Sequence, residues 1–278
     1  MIRRRADDQF WLIRQVDHAH LSGELARDYG NPQFAAPQPA EDVITAVAHH
    51  DDGWPLHDED SPTRNPTGLP LDVFETPRHL AHHIWHASSL RACEIGPYVG
   101  LLVSLHQLGL SAISASAIVN QPHDAQLLRQ QFDTNKFQHA MIERTEALRA
   151  KLGLRTDRPL RLGIADGWTD PAEQKLAHHL RLLQALDLLS LAICCESPPV
   201  STTGPLFTRP GGATVNLQLH RPTADTLLVR PWPFKPLLIP LRVPYRAVPA
   251  VQFESDEALA AALRAAPVET FICTLRPA

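Results

Sequence analysis

From Asp17 to Cys195 the apolar positions recur at helical spacing, and after Ser197 they alternate in short runs. A period near 3.6 puts apolar side chains on one helix face, and a period of 2 puts them on one strand face. Leu21, Leu25 and Ala26 predict a helix from His18 to about Tyr29, with Asp17 as its cap and Gly30-Asn31-Pro32 as its stop. Val43, Ile44 and Val47 give the stripe of a second helix, Glu41 to His50, with two acids in its first turn. Further helices are predicted from His79 to Cys93, from Tyr98 to Leu110, weakly from Ala112 to Val119, and from Asp124 to Leu152 as one helix or two. A last one runs from Pro171 to Cys195. The stretch Leu160–Trp168 reads as irregular. Tyr98–Leu110 is apolar almost all round, which predicts a central position.

The remaining segments read differently. Ile2–Arg5 and Phe10–Gln15 flank Asp7-Asp8 and predict a hairpin. Thr214–His220, Thr226–Arg230, Leu237–Val243 and Glu269–Leu275 are strand candidates, the third at an edge because of Pro240. Asp256–Ala265 predicts a short helix. Between Gly53 and Pro77 lies a long stretch rich in Pro, Asp, Asn and Gly, of the kind that often forms a lid. The expected architecture is α+β: a mainly helical core over 17–196, a hairpin over 1–16 packed on the C-terminal part, and a Pro-rich linker with a small β-rich region over 197–278.

Composition narrows the function classes. The 278 residues suffice for one large domain. An apolar content of 44% with 20% charged residues fits a soluble globular chain. A net charge of −4 without a basic block argues against nucleic-acid binding by bulk electrostatics. No apolar run approaches the roughly 20 residues of a membrane span, so no membrane partner is expected. Cys93, Cys194, Cys195 and Cys273 lack CxxC spacing and read as small, mostly buried side chains in a cytoplasmic protein. A small-molecule substrate is the expected partner, and a homo-oligomer is compatible with the sequence.

The candidate chemistry centres on His49-His50-Asp51-Asp52-Gly53-Trp54, where a predicted helix runs out. Imidazole and carboxylate are ligands for divalent metals. Neighbours on a helix diverge by about 100°, so a site here needs donors from other helices. His18, His106 and Asp187 each stand alone within other apolar helices. Asp187, inside Leu182–Leu189, would be costly to bury without a cation. His82 and His86 share a helix face; His82 and His83 are carried as further candidates, with His79 and His86 open. Asp52 and Asp58 could position a substrate or a water, and His179 could line the cleft. Trp54 reads as packing under the loop. His49, His123, His139 and His220 read as peripheral. Arg14, Arg78 and Arg91 are the nearest cations in sequence. GxSxG, GxxxxGK[ST], HExxH and GxGxxG are absent.

The order His18, His50-Asp51, Asp187 resembles the HD-domain superfamily, whose pattern is a His, a His-Asp doublet and a distant Asp on separate helices. A closer resemblance is to the bacterial family named domain of unknown function 3891. It rests on Gln15–Gly23 (QVDHAHLSG), His50–Trp54 (HDDGW), Ser104–His106 (SLH), Gln184–Leu191 (QALDLLSL) and Pro231–Phe234 (PWPF). The HD resemblance implies an HD-like helical core and a metal-dependent phosphohydrolase. His18, His50, Asp51 and Asp187 would hold Mn, Fe, Mg or Zn, as one ion or two, with His106 as a further ligand or a catalytic group. It also leaves open an HD-type di-iron oxygenase acting on a small substrate. A metal-dependent binding module without turnover is the third expectation.

Overall fold

The computed structural model describes residues 1–118, 125–154 and 170–278. The chain opens with a hairpin, β1 (Ile2–Ala6) and β2 (Gln9–Ile13), turned at Asp7 with a φ of 53°. The helices α1 (Gln15–Asp28), α2 (Ala40–Ala48), α3 (Arg78–Ile95), α4 (Pro97–Ile118), α5 (Ala125–Lys151) and α6 (Pro171–Cys194) follow. The C-terminal part adds β3 (Leu206–Phe207), β4 (Thr214–Val215), β5 (Gln218–Thr223), β6 (Thr226–Arg230), β7 (Ile239–Pro249), α7 (Asp256–Ala265) and β8 (Val268–Pro277). The fold is α+β.

Both ends of the chain build one sheet, in the order β1-β2-β7-β8-β6-β5. All pairings in it are antiparallel except β6 with β8. Alternation along β2 divides its side chains. Phe10 and Leu12 pack with Leu259 and Leu263 of α7, whereas Trp11 and Ile13 join the core that includes the helices. Pro240 is tolerated because β2 pairs only with the far end of β7, from Arg246 to Pro249, which leaves the Pro240 end open on one side.

α4, expected to be central, packs against α2, α3, α5 and α6, while α2 touches α1, α4 and α6. Two close approaches fix α2. A Cβ at Gly23 of α1 would lie 2.6 Å from the Cβ of Ala48, and a Cβ at Gly53 would lie 2.2 Å from the Ile84 carbonyl oxygen. The Gly53 amide donates to Ser88 Oγ at 2.9 Å, which ties the end of α2 to α3. Across α3 and α4, Ser89 and Ser104 share a buried hydrogen bond of 2.5 Å, and Arg144 of α5 donates to Ser89 at 2.6 Å. A buried Arg149–Glu173 ion pair at 2.8 Å joins α5 to α6.

Several local expectations change. α1 begins at Gln15, and Asp17 does not cap it; its carboxylate accepts from Arg14 Nε and Nη2 at 2.7 and 2.8 Å. The two helices expected between Tyr98 and Val119 form one continuous α4 as far as Ile118. The run Thr214–His220 breaks into β4 and β5. The segment 53–77 is not bare loop: it holds a π turn, Leu56–Asp60, and a 3-10 turn, Val73–Glu75, closed by an Asp72/Glu75 capping box. α6 is long and apolar enough to cross a membrane by length and composition, but 83% of its most apolar window is buried inside the protein. Leu160–Trp168, Val119 and His123 lie outside the described residues.

Candidate metal centre

Four segments converge where α2 ends. His18 comes from the first turns of α1, His50 and Asp51 from the turn after α2, His106 from the middle of α4, and Asp187 from α6. All five are at least nine-tenths buried. Two overlapping groups, His18-His50-Asp51 and His50-His106-Asp187, each bring their donor atoms within 4.8 Å of one another. The imidazoles meet edge to face: His18 and His50 at 5.1 Å between centroids, His50 and His106 at 5.2 Å.

Hydrogen bonds fix which nitrogen faces inward. His50 Nδ1 lies 2.7 Å from the Val47 carbonyl oxygen. A carbonyl only accepts, so Nδ1 carries the proton and Nε2 of the neutral ring presents a lone pair. That Nε2 is buried without a hydrogen-bond partner, 3.4 Å from Asp187 Oδ1 and 3.8 Å from Asp51 Oδ2. His18 is held in the same way. Ser190 Oγ donates to the Asp187 carbonyl at 2.9 Å, so the Nδ1–H of His18 donates to Ser190 Oγ at 2.6 Å. Ser22 completes this support with a 2.8 Å bond to Ser190. His18 Nε2 then faces Asp51 Oδ2 at 3.1 Å and Asp187 Oδ1 at 3.6 Å. His106 Nε2 lies 3.6 Å from Asp187 Oδ2, and neither of its ring nitrogens has a hydrogen-bond partner. Gln107 Nε2 donates to the His50 carbonyl at 2.9 Å and steadies the doublet.

Lone pairs aimed at carboxylate oxygens repel unless something positive lies between them. Burial opposes a charge on His50, yet Asp51 and Asp187 outweigh it and raise its pKa to about 9. Burial also opposes ionisation of Asp51 and Asp187, but the surrounding imidazoles win and hold both below the usual carboxylate range. For His106 burial prevails over Asp187, and its pKa falls to about 4. One proton on His50 relieves one contact. A divalent cation would relieve all of them, and three imidazoles with two carboxylates are a donor set that suits one. The residues therefore fit a metal ion.

The other candidates go elsewhere. Asp52 accepts from His49 Nδ1 at 2.8 Å and is only partly buried. Asp58 is buried but engaged by the Met1 ammonium and the Gln15 amide, both at 2.6 Å. His82 stacks on Phe137 with rings 4.6 Å apart and 5° from parallel, and His83 is exposed. His179 is tied to Tyr98 Oη at 2.6 Å and accepts from the Gln38 amide. His139 and His220 are exposed.

A cavity of about 500 Å³ opens onto the cluster and is lined by His18, Asp51, His106 and Asp187. Its wall also includes Trp54, Arg78 and Gln15. Sequence reading missed the parts of Gln15, Ser22 and Ser190, although all three lie in the motifs around the ligands. Ser22 stands four residues after His18, and Ser190 three after Asp187, spacings that share a helix face.

The family model described as "Protein of unknown function (DUF3891)" matches residues 1–250. The chain belongs to this family. No curated protein and no solved structure matches significantly. The DUF3891 segment contains all five clustered donors and ends just after β7, so α7 and β8 lie beyond it.

Proposed function

We propose that this chain is a hydrolase of HD type, dependent on one divalent metal ion and acting on a small phosphoester. The observation that carries the reading is the inward lone pair of His50 Nε2, fixed by the Val47 carbonyl and set against Asp187 and Asp51. The chain order of His18, His50-Asp51 and Asp187, each from a different helix or helix end, supports the HD assignment. The mixed nitrogen and oxygen donors favour Mn, Fe or Zn over Mg, which prefers oxygen. Five donors suffice for one ion with a position left for substrate. Among the described residues the two candidate groups share His50, which speaks against two fully ligated irons and so against the oxygenase alternative.

When bound, such an ion would acidify a water for attack near neutral pH and polarise the phosphoryl oxygen. The chain's own residues do the rest. Ser190 and Ser22 orient His18, and Val47 and Gln107 orient the His50 segment. His106, neutral at pH 7, offers a nitrogen to the ion or to the leaving oxygen.

Metal analysis of protein purified without chelator tests the reading. About one equivalent of Mn, Fe or Zn is expected in the wild type, falling close to zero in Asp187→Asn. Hydrolysis of bis(p-nitrophenyl) phosphate or phenyl phosphate should fall by about a hundredfold or more in Asp51→Asn. Two irons per chain with oxygen consumption would replace hydrolysis by oxygenation. Stoichiometric metal without turnover on a broad phosphoester panel would leave a binding module.

A further inference from the structure

Three residues that line the cavity above the metal cluster each hold a polar atom without a partner. Gln15 Nε2, Trp54 Nε1 and Arg78 Nη1 are buried without a hydrogen-bond partner. All three residues line the same cavity as His18, Asp51, His106 and Asp187. Gln15 is 1% exposed and Trp54 4%, so water does not readily serve them from outside. The three come from separate places: the start of α1, the turn after α2, and the first residue of α3. Each of these atoms is a donor and none can accept. Burial lowers the Arg78 pKa with no compensating carboxylate, and Asp51 and Asp187 are the only acidic residues among those lining the cavity.

Buried donors left unpaired are costly in a native fold, and a bound ion, an ordered water or a catalytic role is the usual reason for them. The chemistry that satisfies three donors from one cavity wall, one of them a guanidinium, is an oxyanion with several acceptor oxygens. A single Arg matches one phosphoryl group; a polyphosphate would bring charge that this wall does not balance. The rest of the wall is mostly apolar, with Val73, Phe74, Trp85, Leu110 and Leu191 beside the polar Thr76 and Gln130. Phe74 is 60% exposed.

We infer that Arg78, Gln15 and Trp54 form an oxyanion subsite facing the metal donors, and that its ligand is a phosphoric monoester with one phosphoryl group and a small apolar body. This deepens the metal-dependent reading and rests on it for the direction of the phosphoryl group, though not for the subsite itself. Arg78 holds the charge, Gln15 and Trp54 orient the oxygens, and the apolar wall takes the ester group.

Calorimetry with phosphonates, which are not hydrolysed, tests the subsite separately from turnover. Metal content is measured on every sample. Phenylphosphonate should bind the purified wild type, and more tightly than methylphosphonate or benzoate. Arg78→Met should weaken phenylphosphonate by about tenfold or more with metal content unchanged, and Arg78→Lys should restore part of the loss. Trp54→Phe, which removes one N–H and little volume, should weaken it by a few-fold. Thermal melts confirm that the variants are folded, and Arg78→Lys carries the comparison with Trp54→Phe should Arg78→Met not fold. The subsite is overturned if the wild type binds no phosphonate, if benzoate binds more tightly, or if Arg78→Met binds within about twofold of the wild type. Protein that holds no divalent ion yet binds phenylphosphonate through Arg78 would sink the metal reading and keep the subsite.

Discussion

At Gly53 the space for a side chain is already taken by the backbone of α3: a Cβ there would sit 2.2 Å from the Ile84 oxygen and 2.7 Å from the Ser88 amide. Backbone cannot swing aside as a flexible side chain can. Gly53→Ala should therefore cost about 1–3 kcal/mol in urea unfolding and push His50 and Asp51 out of register with α6, lowering metal affinity as well. Ser190→Ala is the gentler test. It removes the acceptor that holds the His18 ring and should weaken metal binding by about 10–100-fold, measured by chelator competition, with little change in melting temperature. At this scale the sequence was informative where a donor sat alone among apolar neighbours, as with His106 and Asp187. It was silent on side-chain direction. Asp58 follows the doublet closely yet points to Met1, and His82 shares a helix with cavity residues yet stacks on Phe137. No spacing rule distinguishes these cases, because the difference lies in what packs opposite.

Among the elements, α6 carries Asp187 and depends on the β-rich part for its C-terminal end. Arg4 of β1 and Arg221 of β5 both donate to carbonyls of its last turn, at Ile193 and, for Arg221, Ala192. Cations there also complement the helix dipole. The Arg4 guanidinium lies 4.6 Å from the Phe271 ring centroid as well. Arg4→Ala should lower stability by about 2–3 kcal/mol in chemical denaturation, more than surface Arg5→Ala. Near its other end α6 holds His178 and His179, both buried. Burial lowers the His178 pKa to about 4. Burial and the neighbouring His178 lower His179 to about 3. The unfolded chain takes up protons on these rings near pH 6.5, and the folded chain resists until far lower pH. Stability is then fully present above about pH 6.5 and is lost as the pH falls toward 4. Melting temperatures from pH 7.5 to 4.5 should show this decline, and His178→Leu should flatten part of it. The helices were legible because their apolar stripes are long. The start of α1 was misplaced because Asp17, a good cap by type, found Arg14 instead.

For the molecule as a whole, one core contains residues of α1, α2, α4 and α6 together with β6, β7 and β8. Tryptophan fluorescence, with Trp11 in the sheet and Trp54 and Trp85 at the cavity, should unfold at the same urea concentration as far-ultraviolet circular dichroism. Two separated transitions would mean that sheet and helices are independent. The change from helical to alternating pattern near Ser197 was visible in the sequence. That the N-terminal hairpin joins β7 directly was less so, since strand pairing between distant segments leaves no periodic trace. The pairing matters for biosynthesis. β2 leaves the ribosome more than two hundred residues ahead of the strand that covers its edge, and β8 emerges later still. Until then the nascent hairpin has an unpaired strand. Long-range pairing of this kind slows folding and leaves sticky intermediates. Chains interrupted before β7 should therefore be destined for aggregation or proteolysis.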